Sequence, residues 1–313
     1  MVEAKMEPHY SSRHKILSHE RRLLLKSAAL TPLMLLPDAI TKASQDHAGR
    51  SRIKLSCNLY SFNAPLRNRQ MTLEQVVEFC ADAGFDAVDP TGYYFPNYPE
   101  LPDDDYVYRI KRRAFRLGLD ISGTGVRNDF TLADPAQRRN EVELVKRWVG
   151  LAAKLDAPVL RVFSGRGVPE GKTRDEVHTW VVDCLRECAD YASRFGVIIV
   201  LQNHADFIES ADHVLRVVKD VKSDWFAINL DIGSFRSGDS YAEIAKIVAH
   251  AATWQIKENL YMDGKETKTD VKRVARIARD AGYRGYFPIE TLGEGDPREK
   301  VPKFLDEVKA ALA

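Results

Sequence analysis

The chain has 313 residues, 44% of them apolar and 29% charged, which is enough to bury a sizeable core and excludes a disordered or fibrous chain. The formal net charge is +1, and Lys and Arg are interleaved with Asp and Glu throughout. No basic stripe of the kind that neutralises a phosphate backbone is visible, so nucleic acid is not expected as a partner.

The first fifty residues differ from the rest. In "HERRLLLKSAALTPLMLLPDAITKAS", Arg21 and Arg22 precede an apolar run that ends in small residues around Ala43. This is the layout of an export signal, and Arg21-Arg22-Leu23-Leu24-Leu25-Lys26 resembles a bacterial twin-arginine signal. The run is shorter than the roughly 20 apolar residues that span a bilayer. Residues 1–45 are therefore set apart from the fold, and the mature chain is expected in the periplasm with no membrane segment. The alternative for this stretch is an amphipathic N-terminal helix.

From residue 52 onward, short apolar runs alternate with longer segments of helical period. Eight runs read as strands: "IKLSCNLY" (53–60), "FDAVDPTGY" (85–93), "LDISGTGV" (119–126), "APVLRVFS" (157–164), "VIIVLQNH" (197–204), "FAINLDIG" (226–233), "ATWQIKEN" (252–259) and "GYFPIET" (285–291). Helices lie between them. "TLEQVVEFCADAG" has Thr72 placed as N-cap and Gly84 as stop, and "TKTDVKRVARIARDAG" repeats the pattern up to Gly282. Cys57, Cys80, Cys184 and Cys188 form no CxxC pair, and the last two are spaced for helix packing rather than a disulfide.

Eight strand-helix units in one stretch without a composition break predict a single (β/α)8 TIM barrel over 52–313. A doubly wound open sheet is the competing fold. No strand is followed by a full GxGxxG turn, since "GTGVRN" and "GRGVPEG" both fall short, so no nucleotide cofactor is expected.

A barrel gathers its active site at the C-terminal strand ends, where inward residues alternate. This alternation turns Gln202 and His204 inward on the fifth strand, Asn229 and Asp231 on the sixth, Gln255 and Lys257 on the seventh, and Glu290 on the eighth. Two buried carboxylates at one mouth need a compensating charge, which a divalent metal or Lys257 can supply. Earlier strand ends place Tyr60, Tyr93, Tyr94, Phe95, Arg127, Asn128 and Arg166 near the mouth, where aromatic faces beside polar groups suit a sugar ring.

At these strand ends the chain resembles the sugar phosphate isomerase/epimerase family with the xylose-isomerase-like barrel, over nearly all of 52–313. The resemblance is carried by "LQNH", "NLDIGS", "QIKEN" and "PIET". It implies one divalent metal, usually manganese or magnesium, held by Glu, Asp, His and Glu at the ends of strands five to eight. Asp231 and Glu290 match, whereas Gln202 replaces a Glu, Gln255 replaces a His, and Ser234 takes the place of a further His. A carboxamide oxygen can still ligate a hard cation, so Asp231, Glu290, Gln202 and Gln255 form a candidate metal set.

An amide takes no proton at pH 7, which removes the second base of a two-base epimerase. The expected chemistry is thus proton abstraction beside a carbonyl, with Glu290 as base, Lys257 as the cation facing the enolate, and His204 as donor to a sugar oxygen. Glu294 and Asp296 in "TLGEGDP" would repel a phosphate, so the expected substrate is an unphosphorylated sugar or oxidised glycoside. Isomerase, epimerase and keto-glycoside lyase stay open, as does a non-catalytic sugar-binding barrel that lost its metal, and so does a homo-oligomer. A barrel endonuclease for abasic DNA would need a histidine cluster, and of His47, His178, His204, His213 and His250 only His204 falls in a strand.

Overall fold

The computed structural model describes residues 53–204 and 206–313, so the export segment expected over 1–45 lies outside the described residues. Strand β1 (Lys54–Asn58) is followed by β2 (Ala87–Asp89), β3 (Asp120–Ile121), β4 (Thr124–Gly125), β5 (Val159–Val162), β6 (Ile198–Gln202), β7 (Phe226–Asp231) and β8 (Ala251–Lys257). An exposed antiparallel hairpin, β9 (Asn259–Met262) and β10 (Lys265–Lys268), separates β8 from the last barrel strand, β11 (Tyr286–Glu290). All barrel pairings are parallel, in the order β3-β2-β1-β11-β8-β7-β6-β5-β4. Because β3 and β4 are two pieces of one stretch interrupted at Ser122-Gly123, the two ends of the sheet meet and the barrel closes. All eight expected strands are present, the third in these two pieces.

Among the described residues, eight longer helices surround the sheet: α1 (Leu73–Asp82), α2 (Asp104–Arg116), α3 (Pro135–Leu155), α4 (Arg174–Ser193), α5 (Ala211–Val221), α6 (Ser240–Ile247), α7 (Val271–Asp280) and α8 (Pro297–Leu312). Their starts follow from side-chain oxygens that satisfy the first free backbone N–H groups. Thr72 and Gln75 form a reciprocal capping box on α1, and Thr173 and Glu176 form another on α4. Asp134 and Asp296 cap α3 and α8, each followed by a proline in the first turn. The start of α7 is set by Asp270, which accepts from the Arg273 amide, rather than by a threonine as on α1. Gly84 and Gly282 follow α1 and α7 at φ +81° and +71°, conformations that favour glycine.

Apolar residues fill the layer between sheet and helices, with Trp148 and Trp254 fully buried in it. Cys57, Cys80 and Cys188 are buried free thiols in the same packing, and Cys184 is partly buried. Among the described residues no helix is long and apolar enough to cross a membrane.

One irregularity positions the site. Ile228 pairs with Ala251 but Asn229 pairs with Thr253, so Ala252 is an extra residue in β8. A bulge of this kind shifts every later residue of its strand to the other face. Beyond it Thr253, Gln255 and Lys257 line up with the inward residues of β7, while Trp254 and Ile256 pack outward as part of the core.

Candidate active site

The register of the sheet brings the polar residues side by side. Gln202 is the partner of Asn229, Asp231 of Gln255, and Lys257 of Glu290. All six side chains point to the inside of the barrel at its C-terminal end, and a network of hydrogen bonds joins them. Lys257 Nζ donates to Asp231 Oδ2 at 2.7 Å and lies 3.1 Å from Glu290 Oε2. Gln202 Nε2 donates to the same Asp231 oxygen at 2.7 Å, and Gln255 Nε2 donates to Glu290 Oε1 at 2.9 Å. Below them Asn229 Nδ2 donates to Gln255 Oε1 at 3.3 Å. Asp231 is clamped from behind as well, since its backbone N–H and C=O pair with the Asn203 amide and its Oδ1 accepts from the Gly233 amide at 2.9 Å.

The cluster is buried: side-chain exposure is 13% at Lys257, 6% at Glu290 and nil at Asp231. Burial alone would neutralise the lysine, but the flanking Asp231 and Glu290 carboxylates outweigh it and raise the pKa of the ammonium above its ordinary value. Burial likewise works against ionisation of Asp231, and the Lys257 charge and hydrogen bond overcome it and hold the carboxyl below its usual range. The Lys257 stem reaches this position past Gly233. A Cβ there would sit 2.7 Å from Lys257 Cδ.

Above the cluster opens a cavity of about 510 Å³ whose wall includes Gln202, Gln255, Lys257 and Glu290. Tyr60, Tyr93, Arg127, Asn128 and Arg166 line it as expected, and so do His204 and Ser234. His204 Nδ1 meets the Asp206 carboxylate at 2.8 Å, and its ring stands at 70° to that of Phe163 with centroids 4.8 Å apart. Asn128 spends its amide on both backbone groups of Phe163 and so shapes the wall more than it offers donors. Asn229 does not line the cavity and instead orients Gln255. Tyr94 and Phe95 also turn away, Tyr94 donating to Asn63 and Phe95 packing on Trp148. A second cavity, of about 610 Å³, opens at the N-terminal ends of β7 and β8 and holds none of these groups.

Arg161 is a site residue that the sequence pattern does not announce. Its guanidinium is buried inside the barrel, where it donates to Tyr93 Oη at 2.8 Å and to the Val126 carbonyl at 2.7 Å, and lies over the Phe163 ring. The space for it comes from Gly125, where a Cβ would stand 2.8 Å from the guanidinium. Asp89, bonded to the Asn58 amide at 2.9 Å, is its nearby countercharge. Burial pushes the Asp89 carboxyl up to about 6 in spite of Arg161 and Asn58. The signal in the sequence was a lone arginine inside the apolar run "APVLRVFS", which a solvent-facing side chain explains equally well.

The donor set does not fit a resident divalent cation. Every carboxylate oxygen of Asp231 and Glu290 already accepts from an N–H group or meets the ammonium, and both glutamines turn N–H groups toward the carboxylates. A hard cation needs several oxygens converging on one point. Among the described residues of the cluster, two amide oxygens are buried without a protein partner, Gln202 Oε1 and, below the cavity wall, Asn229 Oδ1, while the Gln255 oxygen is taken by Asn229. Among the described residues no three His, Cys, Asp or Glu side chains are grouped to hold a metal.

A strand-end site of this kind, in a parallel eight-unit barrel, defines a small-molecule TIM-barrel protein. The profile of the xylose isomerase-like TIM barrel family matches residues 77–309, and the chain belongs to that family. A search of curated proteins finds none that matches. Among solved structures, D-psicose 3-epimerase from Clostridium cellulolyticum H10 with D-tagatose superposes at TM-score 0.67 and 16% identity, covering 83% of this chain and 99% of its own. The 3-keto-D-glucoside 4-epimerase of E. coli superposes at TM-score 0.67 and 14% identity, covering 82% and 99%. A xylose isomerase-like barrel from Mycobacterium smegmatis, in complex with magnesium, gives TM-score 0.63 and 19% identity over 84% and 100%. At these identities the likeness is one of fold.

Proposed function

We propose that the chain is a sugar isomerase- or epimerase-like enzyme that removes a proton from a carbon next to a carbonyl. The observation that carries this reading is the contact between Lys257 and Glu290 on the wall of the cavity, a cation and a base side by side. A carboxylate within reach of a substrate C–H acts as general base, and a neighbouring ammonium stabilises the oxyanion that forms as the proton leaves. Lys257 is held charged by its two neighbours, as this role requires. His204, anchored by Asp206, is placed to donate to a sugar oxygen when protonated. The buried, unpartnered Gln202 Oε1 suits acceptance of a sugar hydroxyl, and the Tyr60 and Tyr93 rings suit its apolar face. The two sugar 3-epimerase and keto-glycoside 4-epimerase structures quoted above support the substrate class through their shared fold.

The substrate is proposed to be an unphosphorylated keto-sugar or oxidised glycoside, and the twin-arginine-like start is proposed to deliver the folded chain to the periplasm. The test is incubation with a panel of ketoses and 3-keto-glycosides in D2O, following loss of carbon-bound hydrogen by NMR. Exchange at one position, lowered about 100-fold or more in Glu290→Gln, is the expected result. Tight sugar binding with no exchange for any member of the panel would refute catalysis and leave a binding protein. Loss of a leaving group after exchange would identify a lyase.

A further inference from the structure

We propose that the Lys257 ammonium is the resident cation of this barrel and that the site works without a divalent metal. The electrophilic role of Lys257 rests on the function proposed above; its occupation of the cation position stands on the donor set alone.

The ammonium lies between the two carboxylates, 2.7 Å from Asp231 Oδ2 and 3.1 Å from Glu290 Oε2. A divalent ion bridging Asp231 and Glu290 would have to displace it, or sit against it and share the same oxygens. Asp231 already accepts from Gly233, Gln202 and Lys257, and Glu290 from Gln255 and Lys257, so a divalent ion would share these oxygens with N–H donors and an adjacent ammonium, while one lone pair of Glu290 stays available for a substrate proton. The two glutamines close the alternative. An ionised carboxylate only accepts, so the amide ends facing Asp231 and Glu290 are the N–H ends. To offer oxygens to a metal, both amides would turn over, breaking their bonds to the carboxylates and the bond from Asn229 to Gln255.

The fold also makes room for the lysine. The absent side chain at Gly233 is what lets the Lys257 stem pass, at the residue whose backbone N–H holds Asp231 Oδ1. An ammonium has three N–H bonds, and two of them are spent on Asp231 and Glu290. The third is left for the cavity that Lys257 lines, where a substrate carbonyl or enolate oxygen would receive it. In proton abstraction the electron pair of the broken C–H bond moves to that oxygen, the proton goes to Glu290, and the ammonium hydrogen-bonds the oxyanion without leaving its nitrogen.

The experiment is a Mn²⁺ titration of the full chain followed by EPR, with Mg²⁺ calorimetry in parallel. The wild-type chain is expected to leave the free Mn²⁺ signal unchanged to about 1 mM, and keto-sugar exchange is expected to persist in excess EDTA. About one equivalent of Mn²⁺ bound at micromolar concentration and lost in Glu290→Gln would overturn the proposal, as would exchange that needs added Mn²⁺. Lys257→Met is expected to lower exchange more than 100-fold. Lys257→Arg, which keeps the charge and guards against a folding defect, is expected to retain part of it, and equal loss in both variants would count against an electrophilic cation. If no sugar undergoes exchange the proposed function fails, yet the titration still decides whether lysine or metal holds the site.

Discussion

Lys257 and Glu290 are direct register partners on β8 and β11, and the same pairing that sets their backbones side by side brings Nζ to 3.1 Å from Oε2. Two elements far apart in sequence thus contribute one ion pair. Its strength comes from the barrel interior, where the charges face little water.

Removal of the ammonium should therefore cost more than a surface ion pair. Lys257→Met is expected to lower stability at pH 7 by about 3–5 kcal/mol, the usual penalty for stranding a buried charge. The pH dependence supplies a check. Without the ammonium, burial acts unopposed by the Lys257 charge on the Asp231 carboxyl, so the fold favours its protonated form and the defect grows as pH rises from about 4 to 7. In the wild-type chain the sign is opposite at Asp231: its carboxyl is held low, so its contribution is present above the ordinary carboxylate range and fades as pH falls through it. Urea unfolding of both proteins at pH 4.5 and 7.5 measures the crossing of the two trends.

Gly233→Ala is expected to disturb the same pair without touching a charge. The new Cβ falls within 2.7 Å of Lys257 Cδ, so the stem must shift and Nζ leaves one carboxylate. Sugar exchange should drop about tenfold or more while the melting temperature changes by only a few degrees. Unaltered exchange would show that the stem has room to spare.

Asp89→Asn should stabilise the protein at neutral pH. Because the buried carboxyl titrates at about 6, above its ordinary value near 3.8, the fold prefers it protonated and loses stability as pH rises from about 4 to 6. The amide removes that slope. A gain on the order of 2 kcal/mol at pH 7.5, absent at pH 4, is expected in thermal unfolding series. Equal stability of the two proteins at both pH values would contradict the assignment.

Acid should weaken the interface of α4 and α5 through His213. Burial, reinforced by Arg174, lowers this imidazole to about 4, and its Nε2 is buried with no protein partner. The unfolded chain takes up the proton first, so stability is lost as pH falls from about 6.5 to 4. His213→Gln should flatten the melting curve in that window and leave it unchanged above pH 7.

Much of the site can be read from the order of the residues, for a physical reason. Strands buried on both faces are almost wholly apolar, so a Gln, Asp or Glu at the end of such a run stands out, as Gln202, Asp231 and Glu290 do. For β8 the alternation of Gln255 and Lys257 is also visible, but the bulge at Ala252 that aligns them with β7 carries no sequence mark, because alanine suits either face. Arg161 stays hidden since its partners lie about seventy residues away, Asp89 at the end of β2 and Tyr93 in the turn that follows it, and only the packing of the barrel brings them to its guanidinium. Which end of each glutamine faces the carboxylates is likewise beyond any linear pattern, as it depends on the ammonium between them.

The exposed guanidiniums of Arg127, Arg166 and Arg236 stand on three different loops around a floor made wholly of strand residues. The charged rim of the cavity and the Lys257–Glu290 pair beneath it are thus supplied by separate parts of the chain. Exchange of those three loops with loops of other barrels of this fold is expected to alter the charge met by an incoming molecule while the strand register keeps the ion pair in place.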